Sequence, residues 1–328
     1  MTNPASHNPL KMFATDVARH SSALMYVSHI LRRRKAITSL ADLDRFFDDF
    51  GKRYPTFDDI NDQAVEELLG HYYVEKGLRL PRDPFSEEYS EKQWDFFLKM
   101  SGRGQYDIDD EGNVFDFEKN RDSFYPFNTG SPDIVGRTLL SQSMAIRAMN
   151  LSRGARVVEF GPGWGNITIN LALMGYAVTA VEANQPFIDL INYRAGKHGM
   201  SVNAVKEDMA TFAGSTTETF DAALFVASFH HCRNHLGMLE SLSRIVRKGG
   251  CICLCEEPIF YSRNPFLPYP WGLRLDGLSL YCVRKFGWLE MGFQFGYLSK
   301  ALSAFNFEAL RIPSYMPRIA DLIIGRRS

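Results

Sequence analysis

The sequence predicts an α/β protein in which an open, doubly wound sheet of seven strands, the last of them antiparallel, follows a mainly helical N-terminal domain. Three observations support this fold class. Before about residue 150 the apolar residues recur at helical spacing, and from Ala155 short strand patterns alternate with helical patterns up to the C-terminus. The final two strand patterns have no helix between them, so they must pair as a hairpin that reverses the last strand.

Length and charge indicate the number of domains and the kinds of partner that the protein binds. The 328 residues suggest two domains, which we place at residues 1–150 and 151–328. Lys and Arg number 37 against 38 Asp and Glu, and this balance disfavours nucleic acid as a partner. The start of the chain lacks a secretory pattern and no stretch is long and apolar enough to span a membrane, so we expect a cytoplasmic protein. The sequence does not indicate an oligomeric state.

The N-terminal domain is predicted from amphipathic patterns separated by turn signals. Ser39 and Asp42 form a capping box at the start of one helix, and Pro55 follows its end. A short hairpin is predicted over Tyr106–Phe117 around the D-E-G-N turn. The predicted helices are Asp16–Lys35, Ser39–Arg53, Asp58–Lys76, Ser90–Met100 and Ile134–Met149.

The same turn region also matches a calcium-binding loop of the EF-hand type. Asp107, Asp109, Glu111, Gly112 and Glu118 occupy the positions of the D-x-D-x-E-G-x5-E pattern. Glu is a weak ligand at the fifth position, and the flanking residues favour strands over helices. We therefore favour a hairpin turn and keep calcium binding as the alternative.

The C-terminal half alternates between strands and helices, which predicts parallel βαβ units with ligands at the carboxyl ends of the strands. Cys251, Cys253 and Cys255 alternate along one strand, which predicts one buried face and not a tetrahedral metal site. The predicted strands are Arg156–Phe160, Ala177–Glu182, Ser201–Val205, Ala222–Ala227, Cys251–Glu256, Glu308–Ile312 and Asp321–Gly325. The predicted helices are Ile167–Met174, Gln185–Lys197, Met209–Phe212 and Leu236–Arg247.

A glycine-rich turn follows the first strand of this half and is the candidate ligand-binding turn. The turn, G-P-G-W-G, precedes an apolar helix, so its backbone can approach a ligand and the free N–H groups of the helix start can face it. Glu182 ends the next strand, where a carboxylate can accept from both hydroxyls of a ribose, as in dinucleotide and S-adenosylmethionine sites. Asn166 stands where a dinucleotide fingerprint requires glycine. The turn and its acids therefore favour S-adenosylmethionine.

Residues from about 155 to 328 resemble a class I S-adenosylmethionine-dependent methyltransferase, which has a Rossmann-like fold. The resemblance covers just over half the chain and lies in E-F-G-P-G-W-G, V-E-A-N, E-D-M, F-D-A-A-L-F-V-A-S-F-H-H and R-K-G-G. It implies that Glu182 holds the ribose, that Asp208 accepts from the adenine amino group and that Glu159 contacts the amino-acid end or orders the loop. A helix cap is the alternative role for Asp208. The implied cofactor-binding residues are Glu159, Gly161, Gly163, Gly165, Glu182, Asp208 and Met209.

Candidate catalytic residues follow the fourth and fifth strands of this half. His230 or His231 could remove the proton of an alcohol acceptor, because imidazole titrates near neutral pH. The alternative is that this pair contacts the cofactor or packs the loop. Glu256 and Glu257, at the end of the next strand, could serve as base or hold a substrate hydroxyl. No spacing among these residues singles out metal ligands, so we expect no metal.

An insertion at about 258–290 is rich in aromatic residues and proline and is the candidate substrate wall. An aromatic wall with Arg and Asp suits a sugar, and packing against the N-terminal helices is the alternative. Its P-Y-P-W-G-L-R-L-D-G stretch is similar to methyltransferases found beside bacterial surface-glycan machinery. With Glu256, the candidate substrate-binding residues are Tyr269, Trp271, Arg274 and Asp276.

These patterns favour transfer of a methyl group to a hydroxyl of a small molecule or glycan. A second hypothesis is N-methylation of a metabolite, protein or RNA. However, the D-P-P-Y type motif of amino-directed nucleic-acid enzymes is absent after the fourth strand, where S-F-H-H stands. A third is a regulatory protein that binds S-adenosylmethionine without turnover.

Overall fold

The computed structural model describes residues 36–53, 72, 73, 75, 77–112, 115–314 and 319–328. The chain forms two compact units. The helical unit comprises the described residues of 36–106 together with 260–297, and the sheet unit comprises those of 107–259 and 298–328. Residues 107–150 thus group with the sheet, although the sequence places the end of the N-terminal domain at 150. The insertion groups with the N-terminal residues.

The described elements are as follows in chain order. The strands are β1 (Ala36–Ile37), β2 (Tyr72–Tyr73), β3 (Arg156–Phe160), β4 (Ala177–Glu182), β5 (Asn203–Lys206), β6 (Phe220–Val226), β7 (Val246–Cys255), β8 (Ile259–Phe260), β9 (Trp271–Leu273), β10 (Met291–Gln294), β11 (Phe307–Ile312) and β12 (Leu322–Arg327). The helices are α1 (Leu40–Arg53), α2 (Glu87–Ser101), α3 (Phe117–Asn120), α4 (Pro132–Met149), α5 (Asn166–Leu173), α6 (Gln185–Lys197), α7 (Met209–Ser215), α8 (His235–Ile245), α9 (Gly277–Phe286) and α10 (Phe295–Ala304).

The predicted seven-stranded sheet is confirmed. Its order is β11-β12-β7-β6-β3-β4-β5. The pairs among β7, β6, β3, β4 and β5 are parallel, and β12 runs antiparallel to both β7 and β11. Because β3 lies at the centre between β4 and β6, the turns that follow these three strands meet at one edge of the sheet.

The cysteine face of β7 belongs to the core of the sheet unit, as predicted. Cys251, Cys253 and Cys255 are each at most 2% exposed and pack in one cluster with Leu322 and Ile324 of β12. All five cysteines of the chain are free and buried. β7 begins at Val246, five residues before the predicted start, with an irregularity in its pairing opposite Phe220 and Ala222.

The helical unit confirms one predicted capping box. The backbone N–H of Asp42 donates to Oγ of Ser39 (3.1 Å), and that hydroxyl donates to the Asp42 carboxylate (2.7 Å), so α1 begins as predicted. α2 begins at Glu87, ahead of the predicted Ser90, because Ser86 caps it through the N–H of Tyr89. The predicted helix 16–35 lies outside the described residues.

Two predicted elements are wrong. Residues 72–73, predicted as the end of the helix 58–76, instead form β2 and pair in parallel with β1. A backbone ladder with a distant segment replaces the local hydrogen bonds there. Residues 58–71, 74 and 76 of that prediction lie outside the described residues. The hairpin predicted over 106–117 is a 3₁₀ turn (Ile108–Gly112) followed by α3. A carboxylate of Asp107 accepts from the N–H of Asp109 (3.0 Å) and Asp116 caps α3, so local side-chain bonds favour turns over a ladder.

Within the described part of the chain, no helix has both the length and the apolar character needed to cross a membrane.

Candidate functional site

The glycine-rich turn leaves β3 in a conformation that needs glycine. Gly161, Gly163 and Gly165 all have positive φ, at +63°, +50° and +67°. A Cβ at Gly161 would lie 2.8 Å from Cβ of Ser228 in the loop after β6, so the two loops pack directly. A Cβ at Gly163 would meet nothing within 4 Å. The turn therefore presents open space beside Gly163, immediately before α5.

Glu182, the last residue of β4, places a buried carboxylate beside that open space. Its Oε2 accepts from the N–H of Gly163 and its Oε1 from the N–H of Asn184, both at 3.1 Å. Burial raises the pKa of Glu182, and the hydrogen bonds from Asn184 and Gly163 lower it in part. Each carboxylate oxygen has two lone pairs, so the group can still accept from a vicinal diol. The arrangement fits the ribose of a nucleoside-containing cofactor.

We expect Gly163→Ala to weaken cofactor binding far more than it weakens the fold. Its methyl group would project into the open space beside Glu182, whereas the positive φ alone costs about 1–2 kcal/mol. Affinity for S-adenosylhomocysteine, measured by calorimetry, should fall at least about tenfold.

Gly199→Ala is the matched control, since Gly199 has φ +64° and a Cβ there also meets nothing within 4 Å. It should lose similar stability in urea unfolding and keep wild-type affinity. Equal affinity in the two variants would contradict the assignment of this space to the cofactor.

Glu159 lies one strand residue before the turn and is fully buried. Its carboxylate accepts a hydrogen bond from the hydroxyl of Thr168 in α5, which ties β3 to the helix that follows the turn. Burial raises the pKa of Glu159 to about 7, the Thr168 hydroxyl partly opposes this and the charge of Glu182 adds to it. The carboxyl group thus joins the strand before the glycine-rich turn to the helix after it.

The raised pKa predicts that stability falls with pH. The folded state holds the Glu159 proton up to about pH 7 while the unfolded chain releases it near pH 4.5, so stability is lost as the pH rises between these values. The expected loss is about 3 kcal/mol. Urea unfolding of Glu159→Gln should lack this fall between pH 5 and pH 7.5. A variant with the full wild-type slope would show that another group titrates.

Asp208 caps α7 in the loop after β5. Its Oδ1 accepts from the N–H of Thr211 (2.9 Å) and from the Thr211 hydroxyl (3.1 Å). The cap leaves Oδ2 as the oxygen for any bond to an adenine amino group. Met209 begins α7 and is half-buried. The contacts of these two residues with a cofactor stay predictions.

Glu257 is held in the loop after β7 by four donors from the loop after β6. Its Oε1 accepts from the N–H groups of Ser228 and Phe229 (both 2.8 Å), and its Oε2 from the N–H of His230 (3.1 Å) and from Nδ1 of its ring (2.7 Å). Burial raises the pKa of Glu257, but the charge and hydrogen bonds of His230 and its neighbours outweigh burial and lower it overall. An ionised Glu257 thus orients His230.

Glu111, from the loop for which calcium binding was the alternative, lies beside His231. Its Oε2 is 2.9 Å from Nδ1 of His231, and the His231 ring lies 4.1 Å from the His230 ring between centroids. Glu118 of the same loop pairs with Arg121 at 3.0 Å. The two glutamates thus have separate partners. Glu111, His231, His230 and Glu257 form a carboxylate–imidazole–imidazole–carboxylate row.

The candidate substrate residues of the insertion contact other groups of the helical unit. The Trp271 indole donates to the carbonyl of Pro84 (2.7 Å), and its own carbonyl accepts from Tyr89. Arg274 is hydrogen-bonded to Glu290, and Asp276 caps α9 through Ser279. Tyr269 donates to the Leu273 carbonyl, and Glu256, after β7, is half-buried with φ +56°. Substrate contact by these five residues stays a prediction.

Sequence reasoning did not identify three residues that organise the site. Arg194 donates to the carbonyl of Trp164 in the glycine-rich turn, Thr168 binds Glu159, and the Ser228 hydroxyl donates to the carbonyl of Phe160 at the end of β3 (2.7 Å). The one sequence signal was an arginine on the inner side of α6, where buried residues are otherwise apolar.

Known proteins are similar to part of the sheet unit. Residues 158–254 match the family described as "Methyltransferase domain". The ubiquinone biosynthesis O-methyltransferase of Methylocella silvestris is 26% identical over 121 residues, which are 35% of this chain and 47% of that protein. The ribosomal RNA small subunit methyltransferase A of Myxococcus xanthus is 40% identical over 70 residues, 21% of this chain and 25% of that protein.

Among solved structures, the 1,6-didemethyltoxoflavin-N1-methyltransferase of Burkholderia thailandensis is similar with a TM-score of 0.44 and 21% identity, over 57% of this chain and 78% of that one. The chain spans about half the length, or less, of the two curated relatives named above. The family match covers β3 to β7, the strands that carry the glycine-rich turn, Glu182 and the His230 loop. Residues 158–254 are therefore similar to a methyltransferase domain.

Proposed function

We propose that this protein is a methyltransferase that transfers the methyl group of S-adenosylmethionine to a hydroxyl oxygen of a small molecule or glycan. The observation that carries the proposal is the buried Glu182 carboxylate, bound to the N–H of Gly163 within the segment that matches the methyltransferase family. The five free, buried cysteines fit a reducing compartment, and we propose the cytoplasm.

When bound, S-adenosylmethionine would supply a methyl group on a positively charged sulfur, whose carbon the acceptor oxygen would attack as the carbon–sulfur bond breaks and S-adenosylhomocysteine leaves. The chain binds and orients the reactants. In this proposal Glu182 accepts from the ribose hydroxyls, Gly163 leaves room for the methionine part, and Oδ2 of Asp208 accepts from the adenine amino group. Positioning of this kind can contribute a large share of the rate enhancement, because transfer needs the two atoms close and in line.

His230 is the general base that the geometry favours. Its Nδ1 lies 2.7 Å from the ionised Glu257, so the neutral ring carries its proton on Nδ1 and its lone pair on Nε2. Nε2 would accept the acceptor's proton, and the carboxylate of Glu257 would stabilise the imidazolium that forms. Glu257 is then a positioning residue, since four donors already engage its two oxygens. His231, beside Glu111, is the second candidate base.

An oxygen acceptor is supported by chemistry and by similarity. A base next to the cofactor matters most for an alcohol, which must lose its proton as the bond forms. The Methylocella silvestris relative is by name an O-methyltransferase. The net charge of −1 suits a neutral acceptor better than a polyanion.

A methyl-transfer screen tests the proposal. Wild-type protein and Glu182→Ala, with S-adenosylmethionine labelled in the methyl group, are incubated with separate glycan, lipid and metabolite pools. We expect label in one pool with the wild type alone, and base treatment should leave it in place if an ether has formed. Binding of S-adenosylmethionine without label in any pool would favour the regulatory alternative.

RNA is the second candidate acceptor, favoured by the 40% identity with the ribosomal RNA methyltransferase over 70 residues. Adding unmodified ribosomal RNA as a further pool in the same screen distinguishes an RNA acceptor from a small-molecule or glycan acceptor. Label in RNA, with none in the other pools, would replace the small-molecule proposal.

A further inference from the structure

Arg194 on α6 is a buried cation whose hydrogen bonds go to neutral oxygens. The residue is 3% exposed, and its guanidinium donates to the carbonyls of Trp164 (2.6 Å) and Ser123 (2.5 Å) and to Oδ1 of Asn166 (3.2 Å). Nε is buried and has no hydrogen-bond partner among the described residues. Burial lowers the pKa of Arg194, because it disfavours the charged form. Among the described residues the Arg194 guanidinium donates to no carboxylate. A buried charge without an opposite charge is costly, so its position needs a physical explanation.

Two of the three acceptors lie in the glycine-rich turn or at the start of the helix that follows it. Trp164 stands between Gly163 and Gly165, and Asn166 is the first residue of α5. Arg194 therefore holds a carbonyl inside the glycine-rich turn and a side chain at the start of the next helix. They lie one and three residues after Gly163, whose N–H donates to the Glu182 carboxylate.

The third acceptor belongs to a segment that packs on the same tryptophan. We call residues 115–125 the strap. Phe115 meets the Trp164 ring edge-on with centroids 4.9 Å apart, and Tyr125 stacks on it at 5.8 Å. The guanidinium of Arg194 lies over the rings of Phe124 (5.2 Å) and Trp164 (5.6 Å). The indole is thus enclosed by the two ends of the strap and the cation.

A second attachment of the strap lies away from the turn. Asp122 accepts from the hydroxyl of Tyr193 (2.8 Å) and pairs with Lys197 (3.0 Å), both on α6. Asp122 and Lys197 are exposed, so this attachment contributes little. Tyr193 is next to Arg194 in the chain but does not contact Trp164 through its hydroxyl.

We propose that Arg194 is a positioning residue for cofactor binding. Its hydrogen bonds hold the glycine-rich turn against the strap and α6. Gly163 and the start of α5 thereby keep the arrangement that S-adenosylmethionine requires. The proposal rests on the proposed function, namely that this turn binds the cofactor. It explains why a cation is buried here, since only a guanidinium fork donates to the turn, the helix start and the strap together.

Binding of S-adenosylhomocysteine to the full chain tests this proposal by calorimetry at a temperature where thermal unfolding shows each variant to be folded. We expect Arg194→Met to bind at least tenfold more weakly than the wild type. Arg194→Lys keeps the charge but lacks the fork, so it should recover part of the affinity and still bind at least threefold more weakly. Tyr193→Phe removes a strap hydrogen bond but leaves Trp164 held, and it should stay within twofold of the wild type.

The outcomes separate this proposal from the proposed function. A wild-type protein that binds neither S-adenosylhomocysteine nor S-adenosylmethionine would overturn both. Wild-type affinity in Arg194→Met, or an equal loss in Tyr193→Phe, would overturn the role of Arg194 alone. If Arg194→Met does not fold, Arg194→Lys decides, and wild-type affinity in that variant would overturn the role.

Discussion

Glu182→Ala is expected to reduce the affinity for S-adenosylmethionine at least about 100-fold. The carboxylate is the charged acceptor at the carboxyl end of β4, and a ribose diol would donate two hydrogen bonds to it. Charge-assisted bonds of this kind contribute about 1.5–3 kcal/mol each, and about 1.4 kcal/mol corresponds to a tenfold change in affinity. Titration calorimetry with S-adenosylmethionine and S-adenosylhomocysteine measures the change.

Two further variants sharpen this test. Glu182→Gln keeps one acceptor oxygen for the N–H of Gly163 and should lose about tenfold in affinity. Glu207→Ala removes a half-buried carboxylate in the next loop. The backbone N–H of residue 207 still donates to the backbone carbonyl of Glu182, so this variant should bind S-adenosylmethionine within about threefold of the wild type. Unchanged affinity in Glu182→Ala would refute the cofactor site at this position.

Glu257→Ala is expected to destabilise the fold by about 3–5 kcal/mol, because four buried donors would lose their acceptor and each unsatisfied donor costs about 1–3 kcal/mol. The N–H groups of Ser228, Phe229 and His230 would all lose their acceptor. Urea unfolding followed by fluorescence measures the loss. The stabilisation is present above about pH 4.5 and disappears as acid lowers the pH through the depressed pKa of the folded state, so the wild type and the variant should converge in acid.

Glu256→Ala is the matched control for this effect. Glu256 precedes Glu257 at the same strand end, and alanine keeps the Cβ that its φ of +56° already accommodates. The change in unfolding free energy should stay below about 1 kcal/mol. Losses of equal size in the two variants would show that the strand end as a whole, and not the Glu257 hydrogen bonds, stabilises the loop.

The geometry of the glycine-rich turn and of the acids around it was predictable because its signals are local. Glycines with positive φ, an acid at the end of the next strand and a capping acid after the third each depend on a few neighbouring residues. The parallel order of β3, β4 and β5 then places all three loops at one edge. For the same reason the capping box of α1 and the antiparallel last strand were predicted correctly.

The catalytic side was predictable only as a set of candidates. His230 and Glu257 follow neighbouring strands, which suggests proximity, but the four donors that engage Glu257 become apparent only when the two loops pack. The hairpin over 106–117 was predicted wrongly because Asp107 and Asp116 satisfy backbone groups locally, a competition that strand periodicity does not detect.

The sequence by itself determined the class of the sheet, the position of the glycine-rich turn and the acid that faces it, since each follows from short-range periodicity and backbone sterics. Only the tertiary structure decided that Glu111 pairs with His231, that Glu257 orients His230 and that Arg194 ties the strap to Trp164. These contacts join residues 27 to 120 positions apart, and their energy comes from desolvation and hydrogen-bond geometry that arise only once the chain has packed.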